Sequence, residues 1–201
     1  RVSVLSPQDN YGDAVISAFG KISNHVGIQT PRIERFAPQG NDLGLVIRKF
    51  SDYDMRKANK TQDAPFDAVL MPVGGTLARQ VGSFLNHYDL PPHEVRRLGT
   101  GLMDDPVLAT DRTLDGTWFA APDPTLRNKF VSKYKRTYFT KPPRIASLAY
   151  DAAALSIILA RMSLQHAPDP DYSHRAITNP NGFAGVDGIF RFRNDGISER
   201  G

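Results

Sequence analysis

The chain has 201 residues, with 25 Lys and Arg against 21 Asp and Glu, a formal charge of +4 and no cysteine. That length suits one large domain or one and a half, with enough chain to bury a core. The lack of cysteine excludes disulfides, thiolate catalysis and thiolate metal sites and leaves the compartment open. The longest apolar run, Ala152 to Ala160, falls far short of the about 20 residues that a membrane-spanning helix needs.

In chain order, Val2 to Leu5 predicts a strand, Ser6 to Asn10 a turn, and Val15, Ala18, Phe19, Ile22 and Val26 a helical stripe with Gly27 as C-cap. Gly27 to Phe36 predicts a second strand. Leu43, Val46, Ile47 and Phe50 predict a helix with Asn41 as its cap. Asp52 to Pro65 is polar, carries no sustained stripe and reads as an exposed insertion.

The stretch from Phe66 to Gly101 organises the rest. Asp67 to Val73 is an apolar strand that runs into Gly74-Gly75-Thr76, and Leu77, Val81, Phe84, Leu85 and Tyr88 then recur at helical spacing. After Pro91-Pro92, Arg96 to Leu98 is again a strand that runs into small residues. Strand segments from about Val2, Arg32, Ala68 and Arg96, with helices between them, define an α/β fold with a parallel sheet and right-handed crossovers. Thr117 to Ala120 adds a short strand. In such a sheet ligands sit beyond the carboxyl ends of the strands, here Gly74 to Thr76 and Thr100 to Met103.

At Pro122-Asp123-Pro124 the rhythm changes, and Leu126 to Leu164 reads as helical throughout. Pro168 to Pro180 reads as loop. Phe183 to Arg193 reads as turn then strand, and Asn194-Asp195-Gly196 as a turn.

The order of these pieces resembles the second half of a type I periplasmic binding protein, the leucine/isoleucine/valine-binding and extracellular ligand-binding receptor family. The residues that carry the resemblance are Ser6-Pro-Gln-Asp-Asn-Tyr-Gly12, Leu98-Gly-Thr-Gly-Leu-Met-Asp-Asp-Pro106, Leu114-Asp-Gly-Thr-Trp-Phe119, Ala149-Tyr-Asp-Ala152 and Phe183-Ala-Gly-Val-Asp-Gly-Ile-Phe-Arg-Phe192, followed by Asn194-Asp-Gly196. The long polar stretch before Phe66 looks most like the branch of penicillin-binding-protein activator lipoproteins.

The resemblance implies a Rossmann-like second lobe over residues 1–121, a helical segment of the first lobe over 122–182, and a return crossover and strand over 183–201. It implies a non-enzymatic periplasmic receptor, exported and in the lipoprotein branch lipid-anchored. Its ligand would be an amino acid or related small molecule in an interlobe cleft, its downstream partner an ABC permease, and it would use no cofactor. The alternative it implies is a lipoprotein that contacts a peptidoglycan synthase. The first half of lobe one would lie upstream of Arg1, or a second chain would take its place, covering the apolar faces of Leu148, Leu155 and Ile158.

The candidate ligand-binding residues are Asp9, Tyr11, Gly74, Gly75, Thr76, Thr100, Gly101 and Leu102. Each also has a structural reading. Gly74-Gly75-Thr76 could offer N–H groups and a hydroxyl to a carboxylate at a helix start, or be an ordinary turn with Thr76 as N-cap. Tyr11 could face the cleft or pack on its own helix, and Asp9 and Asn10 have the character of helix caps. Gly101 stands where amino-acid binders of the resembled family place a carboxylate for the ligand ammonium, which argues against free amino acids.

Thr125 to Arg144 holds seven Lys and Arg, no Asp or Glu and several aromatics. An amphipathic helix with a solvated basic face accounts for this, and an anionic polymer is the sharper reading. No nucleic-acid motif accompanies it. His25, His87, His93, His166 and His174 lack paired metal-ligand spacing, no catalytic residue stands out, and Asp151 fits a structural hydrogen bond.

Overall fold

The computed structural model describes residues 1–30, 32–61 and 63–200. The chain divides into two compact units, Arg1–Ala121 and Pro122–Gly201.

The first unit is a parallel sheet with strand order β2-β1-β3-β4-β5, formed by β1 (Val2–Pro7), β2 (Ile33–Phe36), β3 (Ala68–Met71), β4 (Arg96–Gly99) and β5 (Trp118–Phe119). Helices α1 (Asn10–Val26), α2 (Leu43–Phe50), α3 (Tyr53–Ala58) and α4 (Gly75–His87) connect the strands. β1 is central because it is covered on both faces, and accordingly its residues from Ser3 to Pro7 are all buried rather than alternating. β1 pairs with β2 through Val4 to Ile33 and with β3 through Val2 to Ala68, so the chain winds one way from β1 and then returns to its other side. The core lies under α2 and α4, where Leu43, Ile47, Phe50, Val81 and Leu85 meet Leu5, Val69 and Met71. Burying side chains of this size stabilises by about 1.5–3 kcal/mol each.

Several expectations are corrected. The second strand begins at Ile33 rather than near Gly27, because Gly27 takes the left-handed conformation (φ 69°) to close α1. The cap of α2 is Asp42, not Asn41, and its carboxylate accepts the Ala37 N–H instead of a helix amide. The polar stretch from Asp52 is largely exposed, as expected, but it is not without structure. It holds α3, whose buried Arg56 donates to the carbonyls of Tyr88 and Asp89. Of the stripe expected on α1, Ile22 and Val26 remain exposed. Arg97 of β4 is fully buried and donates to Asn86 Oδ1 at 2.6 Å, and burial pushes its guanidinium down to about 10.

The second unit comprises α5 (Pro124–Tyr138), α6 (Ala146–Ser163), α7 (His174–Ile177) and strands β6 (Phe183–Gly185), β7 (Gly188–Phe192) and β8 (Ser198–Arg200). The helical stretch expected from Leu126 to Leu164 forms α5 and α6, separated at Phe139, which is left-handed, and by Pro142-Pro143 after it. The loop expected over 168–180 contains α7, with Ser173 as its cap. Ile189 to Arg193 contributes most of β7, which lies between β6 and β8 in an antiparallel sheet. The Asn194-Asp195-Gly196 turn does form, between β7 and β8, with Gly196 at positive φ.

A small core joins Leu155 and Leu159 of α6 to Phe183 and Phe190. Leu155 is therefore covered within this unit, whereas Leu148 at 50% and Ile158 at 39% are exposed. Asp151 is buried and accepts the Val186 N–H at 2.9 Å, the structural role read from its sequence context. Arg127 of α5, Ser147 of α6 and Asp187 of the β6–β7 turn converge, with Asp187 accepting from both.

Candidate functional site

Parallel strands end on one edge of their sheet, and here three of the connecting loops meet there. β1 runs into Gln8 and Asp9, β3 into Pro72, Val73 and Gly74, and β4 into Thr100. The reversal of winding between β1 and β3 makes the crevice beyond their carboxyl ends the topological switch point, where open α/β sheets take ligands.

Two contacts tie these loops together. The Tyr11 hydroxyl donates to Thr100 Oγ1 at 2.8 Å, joining the β1 loop to the β4 loop. A Cβ placed on Gly74 would lie 2.8 Å from the Leu102 carbonyl oxygen, so the β3 and β4 loops touch through a position that only glycine fits without displacement. Thr100 also caps the 3-10 turn Gly101–Met103. Tyr11 and Leu102 remain 42% and 43% exposed, and Gly75 and Thr76 are exposed at the start of α4, so the edge is an open surface rather than an enclosed cavity.

The residues divide by role. Asp9 is the N-cap of α1 and accepts the Gly12 N–H at 2.7 Å, as its sequence position predicts. Thr76 is not a cap, since α4 begins at Gly75 with Gly74 as N-cap and no capping side chain. The first-turn amides and the positive end of the α4 dipole are thus left facing the loops beside the Thr76 hydroxyl, an arrangement suited to a carboxylate. Asp105 accepts the Val107 N–H, which commits that oxygen to its own turn. Sequence reasoning missed Arg35, at the end of β2. It donates to Pro7 O at 2.9 Å and pairs with Asp13, bracing the β1 loop from the far side. Its only signal is a charged residue near the end of a strand.

Beside this edge, residues Met103 to Phe119 line a recess of about 310 Å³ that includes Asp104, Asp111 and Asp115 but none of the predicted ligand residues. Asp111 lies well below the ordinary 3.8 of a carboxyl, at about 2, because the Thr113 hydroxyl and the Arg79 guanidinium hydrogen-bond its ionised form. A depressed carboxyl pKa stabilises the fold above its unfolded value, and that contribution disappears as pH falls through the folded value. Asp111→Asn should therefore lower the melting temperature at neutral pH, and its gap from wild type should close between 3.8 and about 2. A gap that is unchanged across an acid melting series would show the carboxylate to be idle. Among the described residues no group of His, Asp or Glu is arranged to hold a metal ion.

The fold matches about half of a type I periplasmic binding protein fold, with the parallel sheet and its helices corresponding to a Rossmann-like lobe. A solved structure from Rhodospirillum rubrum, assigned to a branched-chain amino acid ABC transporter, superposes at TM-score 0.70 with 21% identity, over 99% of this chain and 56% of its own. A branched-chain amino acid ABC transporter periplasmic ligand-binding protein of Burkholderia xenovorans LB400 gives TM-score 0.64 with 18% identity, over 100% and 52%. A solute-binding protein of a Rhodopseudomonas palustris ABC transporter, solved with 4-hydroxybenzoate, gives 0.60 with 14% identity, over 97% and 52%. The chain thus spans little more than half the length of these structures. No family model matches the sequence, and neither does any curated protein.

Proposed function

We propose that this chain supplies one wall of the ligand cleft of a non-enzymatic, periplasmic solute-binding receptor that delivers a small carboxylate to an ABC permease. The observation that carries this reading is the meeting of the β1, β3 and β4 loops at the switch point, fastened by Tyr11 and Thr100. Gly74, Gly75 and Thr76 receive the carboxylate at the start of α4. Tyr11, Thr100, Gly101 and Leu102 form the adjoining wall, while Asp9 acts from behind by holding α1. A second lobe, from the parent chain or another copy, covers the ligand. The amino acid and hydroxybenzoate receptors of the same fold take ligands whose shared group is a carboxylate. With Gly101 where an ammonium partner is expected, the favoured ligand is an acid without a free ammonium.

The alternative, a module that docks on a peptidoglycan synthase, rested on Asp52 to Pro65 as an exposed insertion, on the basic stretch Thr125 to Arg144 and on Gly101 in place of a carboxylate. The first of these holds a helix anchored by Arg56, so it is not a loose docking loop.

Titration calorimetry on the full-length protein, with a panel of hydroxybenzoates and amino acids, tests the cleft. Thr76→Val keeps the shape of the side chain and removes one donor to a charged ligand. Affinity for the acid that binds best should fall roughly tenfold. Binding that is unchanged in Thr76→Val would remove α4 from the site, and no heat from any carboxylate would sink the receptor reading.

A further inference from the structure

The hairpin joining α5 to α6 in the second unit exposes a cluster of apolar side chains. Phe139 is 92% exposed, Ile145 71% and Tyr138 61%, and all three lie at one end of the helical pair, within the turn that connects it. Phe139 also holds a left-handed backbone (φ 57°) at the C-cap of α5, a position glycine occupies without strain. A bulky apolar residue retained there, with hardly any of its surface covered within this unit, is placed to meet something outside it.

The charges at the same end have one sign. Lys135 and Arg136 stand in the last turn of α5 and Lys141 in the loop, all exposed, and no acidic residue occurs from Pro124 to Tyr150. Lys135 and Arg136 also suit the negative end of the helix dipole, but Lys141 lies beyond the helix and gains nothing from it. Large apolar side chains ringed by cations match the interfacial layer of an anionic bilayer, where rings and aliphatic chains enter the headgroup boundary and each nearby Lys or Arg adds attraction. An acidic polymer without apolar groups would account for the cations and leave Phe139 and Ile145 unexplained.

We infer that the α5–α6 hairpin is a membrane-docking tip that holds the protein by Phe139 and Ile145 against a surface of anionic lipid. This inference is independent of the ligand cleft. Its test is co-sedimentation of the full-length protein with phosphatidylglycerol-containing vesicles and with pure phosphatidylcholine vesicles, with no carboxylate ligand present. Binding should favour the anionic vesicles, and the double variant Lys135→Glu, Lys141→Glu should lose roughly tenfold or more in partitioning. Phe139→Gly relieves the backbone conformation, so it should melt no lower than wild type and yet bind less. Equal sedimentation with both lipids, or binding that neither variant changes, overturns the proposal. So does soluble polyglutamate capturing wild type and Phe139→Gly alike while vesicles do not, since that would identify an acidic polymer as the partner.

Discussion

Asp187→Ala is expected to destabilise the second unit by about 1–3 kcal/mol, between the small effect of an exposed ion pair and the large one of a fully buried pair. Asp187 accepts from Arg127 Nη1 at 3.0 Å and from Ser147 Oγ at 2.5 Å, and the side chains of Arg127 and Asp187 are only 17% and 11% exposed. The carboxylate thereby ties α5 and α6 to the turn between β6 and β7. Its removal strands a guanidinium that little water reaches and leaves the buried Ser147 hydroxyl with the Arg144 carbonyl at 3.2 Å. Beside it, the Asp151–Val186 hydrogen bond, the Phe130–Tyr150 ring contact and a small apolar core hold the same three segments. Asp195 provides the comparison, because it pairs with Arg193 at nearly half exposure, and Asp195→Ala should change stability by about 0–1 kcal/mol. Urea denaturation of both variants, followed by near-ultraviolet signals from the tyrosines of α5 and α6, measures the difference. Equal midpoints for the two would mean that Arg127 and Ser147 find other partners and that the buried network contributes little.

The architecture of the first unit was legible because β1 and β3 are largely apolar runs, and because α2 and α4 bury stripes at helical spacing. Asp9 as a cap and Gly27 as a terminator could likewise be read from local chemistry. What escaped depends on contacts that periodicity does not register. α3 has only six residues and no stripe, and it is held by the Arg56 guanidinium on carbonyls more than 30 positions away. β8 is Ser-Glu-Arg, a polar sequence that becomes a strand because Phe192 and Arg191 offer a ladder opposite it. Ile189 to Arg193 pairs with its own neighbours because a two-residue turn at Val186-Asp187 closes β6 on β7, and Asp151 and Ser147 fasten that turn. Each candidate ligand residue could be found as a strand-end loop residue. That Tyr11 reaches Thr100 across 89 positions, however, follows only from the strand order, which no local pattern encodes.

Gly12→Ala is expected to disrupt both the start of α1 and the candidate site. Gly12 is buried in the first turn of α1, and a Cβ there would lie 2.3 Å from the Pro7 carbonyl oxygen and 2.4 Å from Ser6 Oγ. The nearer atom is backbone of the central strand, which cannot rotate aside as a flexible side chain would. Strand β1 and α1 must then separate, at a cost of about 1–3 kcal/mol or somewhat more. The higher helix propensity of alanine returns at most about 1 kcal/mol, so the clash wins. The same displacement carries off the Asp9 cap, which is made to the Gly12 N–H itself, and moves Tyr11, the neighbouring residue, off Thr100. Stability and ligand affinity should therefore fall together in Gly12→Ala. Tyr11→Phe removes only the link between loops and should lower affinity with a stability change of about 1 kcal/mol. Thermal melts and calorimetry on the two variants separate these effects. If Gly12→Ala melts with wild type, the close packing of β1 against α1 is looser than its geometry implies, and the rigidity attributed to the β1 loop goes with it.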